Sequence, residues 1–434
     1  MLVKSSLVKT DKNNTLNIWG FLFPNPYSIV NSRSLVMPIA ETIKNALGSS
    51  SMIRKMFEEG NRLKKENGAE NVFDFSLGNP DLDPPKAFHD VFLRLAEEDR
   101  KGSHGYMPNA GYQEVREALA KKASKEQQVD IDGSHIVMAV GAAGGLNTVF
   151  KTICNPGDEV IVCKPYFMEY RPYTANHGAK LVEADSLPDF NLDLKAIGAA
   201  LSQKTAAVLI NSPNNPTGRV YPAETISALA ALLLEHGKKT GRLPYLVSDE
   251  PYREIAYNVR VPPVLCAYNE SIVVSSYSKS LSLPGERIGY IAVSPNVRDK
   301  DDLMNGLIYA TRVLGFVNAP ALMQRVVAEL TDAAVDVHIY ARRRDAFTAI
   351  LDGAGIEYAV PEGAFYLFCK VPVKKDLSGP GDDSAFVNHL KQHLILGVPG
   401  SGFGKPGWLR FAYCVDEKNI RASAGAFKKA METW

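Results

Sequence analysis

The sequence predicts an α/β fold: a large domain with a mostly parallel sheet covered by helices, plus a smaller α+β domain made from the N- and C-terminal segments. Three observations predict it. Short apolar runs rich in β-branched residues recur at Ile136–Ala139, Glu159–Cys163, Ala206–Asn211, Tyr245–Ser248 and Ser271–Ser275. Helical stretches such as 143–153 and 223–236 separate most of them. Unbroken apolar strands alternating with helices are buried on both faces, which is the pattern of a parallel sheet. After about residue 320 the texture changes: a long helical stretch, Ala319 to Leu351, precedes shorter strands around Ala364–Cys369 and Trp408–Ala412.

The length of 434 residues exceeds one ordinary core and calls for more than one domain. Residues 38–66 have the period of an amphipathic helix, with Ile53, Met56, Phe57 and Leu63 on one face. The expected division is an arm over 37–75 that joins the smaller domain, a large domain over 76–320 and a small domain over 321–434. Residues 1–36 are rich in Asn and Ser and read as a disordered extension or an upstream mis-start. Pro24 and Pro26 interrupt their apolar patch, so it makes neither a bilayer span of roughly 20 apolar residues nor a signal peptide.

A hydrophobic fraction of 45%, a charged fraction of 22% and a net charge of +1 describe a globular chain. That charge balance argues against nucleic-acid and anionic-membrane partners. The five cysteines, at 154, 163, 266, 369 and 414, are odd in number and lack metal or redox spacing. Buried free thiols in a reducing cytoplasm are expected, rather than a disulfide framework.

In open α/β sheets, ligands gather at the carboxyl ends of the strands. Ile136–Val140 is followed by Gly141-Ala142-Ala143-Gly144-Gly145 leading into a helix. Small residues there make a phosphate cradle or simply a tight turn, and the missing Gly-Lys-Ser/Thr excludes a nucleotide P-loop. Ala206–Ile210 is followed by Asn211-Ser212-Pro213-Asn214-Asn215-Pro216-Thr217-Gly218, and Leu246–Ser248 by Asp249-Glu250-Pro251-Tyr252. A carboxylate at the end of a buried strand is costly without a partner. Ile272–Ser275 is followed by Ser276-Tyr277-Ser278-Lys279, then Pro284-Gly285-Glu286-Arg287-Ile288-Gly289. A lysine at such a place loses proton affinity by desolvation, which suits an imine-forming amine.

In this order and at these separations, the four segments resemble the class I aminotransferases, pyridoxal-phosphate enzymes of fold type I similar to aspartate and aromatic aminotransferases. The resemblance runs from about residue 50 to the C-terminus. Pro213–Gly218, Asp249–Tyr252 and Ser276–Gly289 carry it most specifically. It implies pyridoxal 5′-phosphate as cofactor, with Lys279 forming the Schiff base. Asp249 is then the partner that keeps the pyridinium nitrogen protonated, and Tyr252 and Asn215 bond the ring 3-oxygen. The phosphate would be held by Arg287, Ser276 and Ser278 and by the backbone N–H groups of Ala142, Ala143 and Gly144. Phe167 matches the aromatic that stacks on the ring; as Phe rather than Trp or Tyr it keeps the stacking and drops any polar contact. On the substrate side, Arg410 matches the arginine that clamps the α-carboxylate, with Gly78 and Asn215 beside it. Tyr106 matches a tyrosine that reaches the phosphate of a neighbouring subunit, so the active unit would be a homodimer.

The implied reaction is transamination between an α-amino acid and a 2-oxo acid such as 2-oxoglutarate. Aspartate-like, other acidic or small side chains are favoured. Lys279 would move the Cα proton as general base and acid. Rival readings on the same residues are a C–S β-lyase, a decarboxylase or a cyclopropane-type synthase. A ligand-sensing regulator is disfavoured because 1–36 is too short for a helix-turn-helix domain and has no basic stripe. His389 and His393 are four apart on a helical stretch but lack a third ligand, so no metal is expected. Arg342-Arg343-Arg344 reads as an exposed helix face, and Phe365-Tyr366 as core or pocket mouth.

Overall fold

The computed structural model describes residues 39–48, 52–373 and 381–434. The chain forms two compact units, Met1–Ser50 and Ser51–Trp434. In the first, the described part is residues 39–48, with helix Glu41–Gly48. The expected extension over 1–36 lies outside the described residues.

The second unit has thirteen strands among the described residues. They are β1 (Phe73–Asp74), β2 (Ile136–Ala139), β3 (Glu159–Cys163), β4 (Lys180–Ala184), β5 (Thr205–Asn211), β6 (Tyr245–Asp249) and β7 (Ser271–Ser276). The remainder are β8 (Gly289–Val293), β9 (Tyr358–Ala359), β10 (Tyr366–Lys370), β11 (Ile395–Leu396), β12 (Val398–Pro399) and β13 (Trp408–Ala412). Seven of them make one sheet in the order β2-β8-β7-β6-β5-β3-β4. Strand β8 runs antiparallel to both neighbours and the other pairs are parallel. The expected α/β class with a mostly parallel sheet is therefore what forms.

Both faces of this sheet are buried because successive side chains alternate between two cores. Val208, Ile210, Leu246 and Val273 point into one apolar cluster, while Ala207, Leu209, Val247 and Val274 point into another. A third core surrounds the four-stranded antiparallel sheet β12-β13-β10-β9. Its centre is aromatic: Phe75 and Phe347 lie 4.5 Å apart, and Phe411 and Phe427 pack against both. Strand β1 pairs with β11 in parallel, and Met56 of helix Met52–Asn67 joins the same core. Leu63 packs separately with Val72 and Leu396. The side chains of Ile53 and Phe57 lie outside the described residues.

Four sequence expectations are corrected. Strands β4 and β8 were not anticipated. The stretch 319–351 is two helices, Ala321–Ala328 and Val337–Ala354. Asp336 starts the second by accepting a hydrogen bond from the His338 N–H, so a cap interrupts what periodicity alone joins. Arg343 is buried rather than exposed, in a two-pronged ion pair with Asp81 at 2.6 and 2.9 Å. Arg344 lies over the Tyr257 ring. The cysteines are all free, but Cys266 is exposed and only Cys369 and Cys414 are fully buried. No helix among the described residues is long and apolar enough to cross a membrane.

Candidate active site

Strand register brings the chemistry-bearing segments to one edge of the seven-stranded sheet. Asn211 at the end of β5 is level with Asp249 at the end of β6, and Asp249 with Val274 of β7. Ser276 at the end of β7 pairs with Gly289, which also pairs with Ala139 at the end of β2. A cavity of about 350 Å³ opens above this edge. Gly78, Phe167, Asn215, Asp249, Tyr252 and Lys279 line it. So do Ala142, Ala143, Ser276, Ser278, Arg287 and Arg410. Gly144 is buried in the first turn of the adjoining helix and does not line the cavity. Tyr106 is 94% exposed and does not line it either.

Lys279 enters the cavity because the chain turns from strand to helix just before it. Ser276 is extended, and Tyr277–Ser280 is a single helical turn. The Lys279 Nζ donates to the Gly78 carbonyl oxygen at 2.8 Å and stands 5.4 Å from the Phe365 ring centre. Desolvation lowers its pKa to about 8. A sizeable neutral-amine fraction therefore exists at ordinary pH.

Asp249 is 5% exposed. Its Oδ2 accepts from the Tyr170 hydroxyl at 2.5 Å, whereas its buried Oδ1 has no partner. Desolvation pushes its pKa up to about 7, against the Tyr170 hydrogen bond, which pulls it down. An unpartnered buried carboxylate oxygen aimed into a cavity is suited to a cationic N–H donor.

Asn211 and Asn215 brace the neighbouring turn. The Asn211 side chain donates to the Asp249 backbone oxygen at 2.8 Å and accepts from the Asn215 N–H at 2.7 Å. Gly218 closes the turn at φ 71°, and a Cβ there would overlap Pro361. The Asn215 amide oxygen is taken by Arg410 Nη1 at 3.0 Å, which leaves its NH2 group to donate.

Arg410, on β13, is 1% exposed, and no carboxylate among the described residues pairs with it. Its other hydrogen bond goes to the Ser76 carbonyl oxygen at 2.8 Å, and its Nε has none. The rings of Tyr366 and Phe403 flank the guanidinium at 4.5 and 4.9 Å. Burial lowers its pKa. A buried guanidinium with only neutral partners is a strong site for an entering carboxylate.

At the far end, helix Gly141–Ile153 begins without a side-chain cap. Gly141 sits at φ 72°, and the Arg287 guanidinium lies where its Cβ would be. The exposed Arg287, itself at φ 52°, is held by the Pro284 carbonyl oxygen at 2.9 Å. Free helix N–H groups beside a guanidinium and the hydroxyls of Ser276 and Ser278 suit an oxyanion.

Sequence reasoning missed Tyr170, although it lies three residues after Phe167 and their rings meet edge to face at 5.5 Å. It read Phe365-Tyr366 as core or pocket mouth and gave Tyr366 no chemical role. Tyr366 lines the cavity and its hydroxyl is 2.7 Å from that of Tyr252. The paired histidines have local partners: His389 Nε2 meets the Ala430 oxygen at 2.8 Å and His393 Nε2 the Thr433 hydroxyl at 3.1 Å.

Residues 70–427 match the family model for aminotransferase class I and II. The chain is 31% identical to a probable aspartate aminotransferase of Methanocaldococcus jannaschii, over 83% of this chain and 94% of that one. It is also 31% identical to the aspartate/prephenate aminotransferase of Thermus thermophilus, over 82% and 90% of the two chains. Among solved structures, an amino transferase from Eubacterium rectale superposes with a TM-score of 0.87 at 38% identity, over 92% of this chain and 100% of that one. The aspartate aminotransferase of Thermus thermophilus with maleate superposes at 0.80 with 27% identity, over 91% and 100%.

Proposed function

The chain belongs to the class I and II aminotransferases, and on that premise we propose that its cavity binds pyridoxal 5′-phosphate at Lys279 and exchanges an amino group between an α-amino acid and a 2-oxo acid. One observation carries the reading. A lysine of lowered proton affinity stands in the same cavity as a carboxylate oxygen and a guanidinium that both lack charged partners.

The residues fit the cofactor. When bound, it supplies an electron sink for the pair released at the substrate Cα. The free Asp249 Oδ1 is ready for the ring N–H, and a cation there would return Asp249 to its charged form. Tyr170 fixes the other carboxylate oxygen. Phe167 offers a ring face. Tyr252 and the Asn215 NH2 group are donors for the ring 3-oxygen. Arg287, Ser276, Ser278 and the N–H groups of Ala142 and Ala143 form the phosphate end; the buried Gly144 lies behind it.

On the substrate side, the Arg410 fork takes the α-carboxylate, with the Gly78 backbone and Asn215 at its border. Lys279 Nζ is the base that removes the Cα proton and later returns one. Its depressed proton affinity keeps the receptive form populated. The enclosing aromatics exclude water and strengthen these charge interactions.

The aspartate named for the relatives supports an acidic or small amino acid as donor, with 2-oxoglutarate as a fitting acceptor. The exposure of Tyr106 supports a homodimer in which it reaches the partner's phosphate end. Five unpaired cysteines support a reducing, cytoplasmic setting. The separate core around β12-β13-β10-β9 supports a smaller domain, whereas Met323, Val326, Val327 and Leu330 pack in a core of the seven-stranded sheet and move the boundary of the large domain past residue 330.

The test is a half-reaction. The cofactor-loaded protein is mixed with each amino acid without an acceptor, and the products are counted. One equivalent of pyridoxamine phosphate with one of 2-oxo acid is expected. Continuing release of ammonia with pyruvate, or of carbon dioxide, would replace transamination by a lyase or decarboxylase reading.

A further inference from the structure

We propose that Tyr366 is a positioning residue that couples the two ends of the site, its hydroxyl orienting that of Tyr252 and its ring face holding Arg410 ready for a substrate carboxylate. This rests on the cofactor reading given above.

Three observations carry it. The hydroxyls of Tyr252 and Tyr366 are 2.7 Å apart, and both residues are buried, at 5% and 2% exposure. The Arg410 guanidinium lies 4.5 Å from the centre of the Tyr366 ring. A Cβ at Gly78 would overlap the Tyr366 hydroxyl, so the glycine leaves the space that the phenol fills. Tyr366 therefore touches Tyr252, Arg410 and the Gly78 segment that receives the Lys279 hydrogen bond.

The chemistry follows from the direction of one hydrogen bond. Two phenols in contact share a single donor. When Tyr366 donates to Tyr252, the Tyr252 proton is free to point at an acceptor in the cavity, and its donor strength rises through cooperativity. The face of the Tyr366 ring attracts the guanidinium and keeps its fork in plane. A phenylalanine would keep the second action and lose the first. A leucine would lose both.

The experiment uses the protein loaded with pyridoxal 5′-phosphate. Wild type, Y252F, Y366F and the double variant are titrated through their cofactor absorbance from about pH 5 to about pH 10. A donor to the ring 3-oxygen stabilises its deprotonated form, so weakening that donor raises the midpoint. Y366F is expected to raise it by about half a pH unit, less than Y252F does. Added to Y252F, it is expected to move the midpoint no further. KM for the amino acid is expected to change less than about twofold in Y366F and to rise about tenfold in Y366L. An unmoved midpoint in Y366F, an undiminished shift in the Y252F background, or an unchanged KM in Y366L would overturn the proposal. If Y252F itself left the midpoint unmoved, the cofactor reading would fall and this proposal with it. A shifted Y252F with an unmoved Y366F overturns this proposal alone.

Discussion

Lys279 Nζ donates a 2.8 Å hydrogen bond to the carbonyl oxygen of Gly78, a residue 201 positions earlier in the chain. The bond ties the end of β7 to the loop that follows β1. It thereby fixes the amine against the segment whose Ser76 oxygen meets Arg410. Burial around this contact lowers the lysine's pKa to about 8, and that has a kinetic consequence.

Only the neutral amine attacks an aldehyde. Association of pyridoxal 5′-phosphate with the cofactor-free protein should accelerate about tenfold per pH unit below pH 8 and level off above it. Stopped-flow absorbance from about pH 6 to about pH 10 checks this. Acceleration continuing to the ordinary lysine range would show that Nζ is not desolvated.

Asp249 gives the cofactor-free protein a pH-dependent stability. Its folded pKa, about 7, is above its unfolded value. The stabilisation is therefore full below about pH 4 and is lost as pH rises through about 7. Asp249→Asn removes the charge, so at pH 8 the cofactor-free variant should be more stable than wild type, by on the order of 2 kcal/mol. Urea unfolding at about pH 5 and about pH 8 measures the difference. The same variant should bind the cofactor more weakly, because its ring nitrogen has lost its anion.

Arg410→Lys retains charge but not the fork that meets Asn215 and the Ser76 oxygen. Steady-state kinetics should show kcat/KM falling by about a hundredfold or more for every amino acid tested, whatever its side chain. A loss confined to acidic amino acids would assign Arg410 to the side chain instead of the α-carboxylate.

The ion pair between buried Arg343 and exposed Asp81 holds the loop after Gly78 against helix Val337–Ala354. Asp81→Ala leaves the buried Arg343 without its counter-charge and should cost about 3 kcal/mol in urea unfolding. The R343M/D81N double variant should cost less than the two single changes summed.

The sheet and most of the site were legible because they depend on local signals. Five strands were visible as apolar runs, and the residues that follow them line the cavity, since ligand groups collect at strand ends. What stayed hidden depends on contacts between distant segments. Tyr170 bonds Asp249 across 79 residues, and Tyr366 meets Tyr252 across 114. Arg343 looked like one of three surface arginines until Asp81, 262 residues away, supplied its partner. Strand β8 was overlooked because Gly289 opens it only three residues after the Pro284–Glu286 turn and shortens its apolar run. The split at Asp336 needed a cap to be recognised inside a continuous helical period.

Lys279 is the proposed point of attachment for the cofactor. The direct measurement is to load the protein with pyridoxal 5′-phosphate, reduce it with borohydride, digest it and locate the added mass by mass spectrometry. One pyridoxyl group per chain is expected, on the peptide containing Lys279, and none in Lys279→Ala, which should also lose transamination. Labelling of a different lysine, or a Lys279→Ala protein that keeps both label and activity, would contradict it.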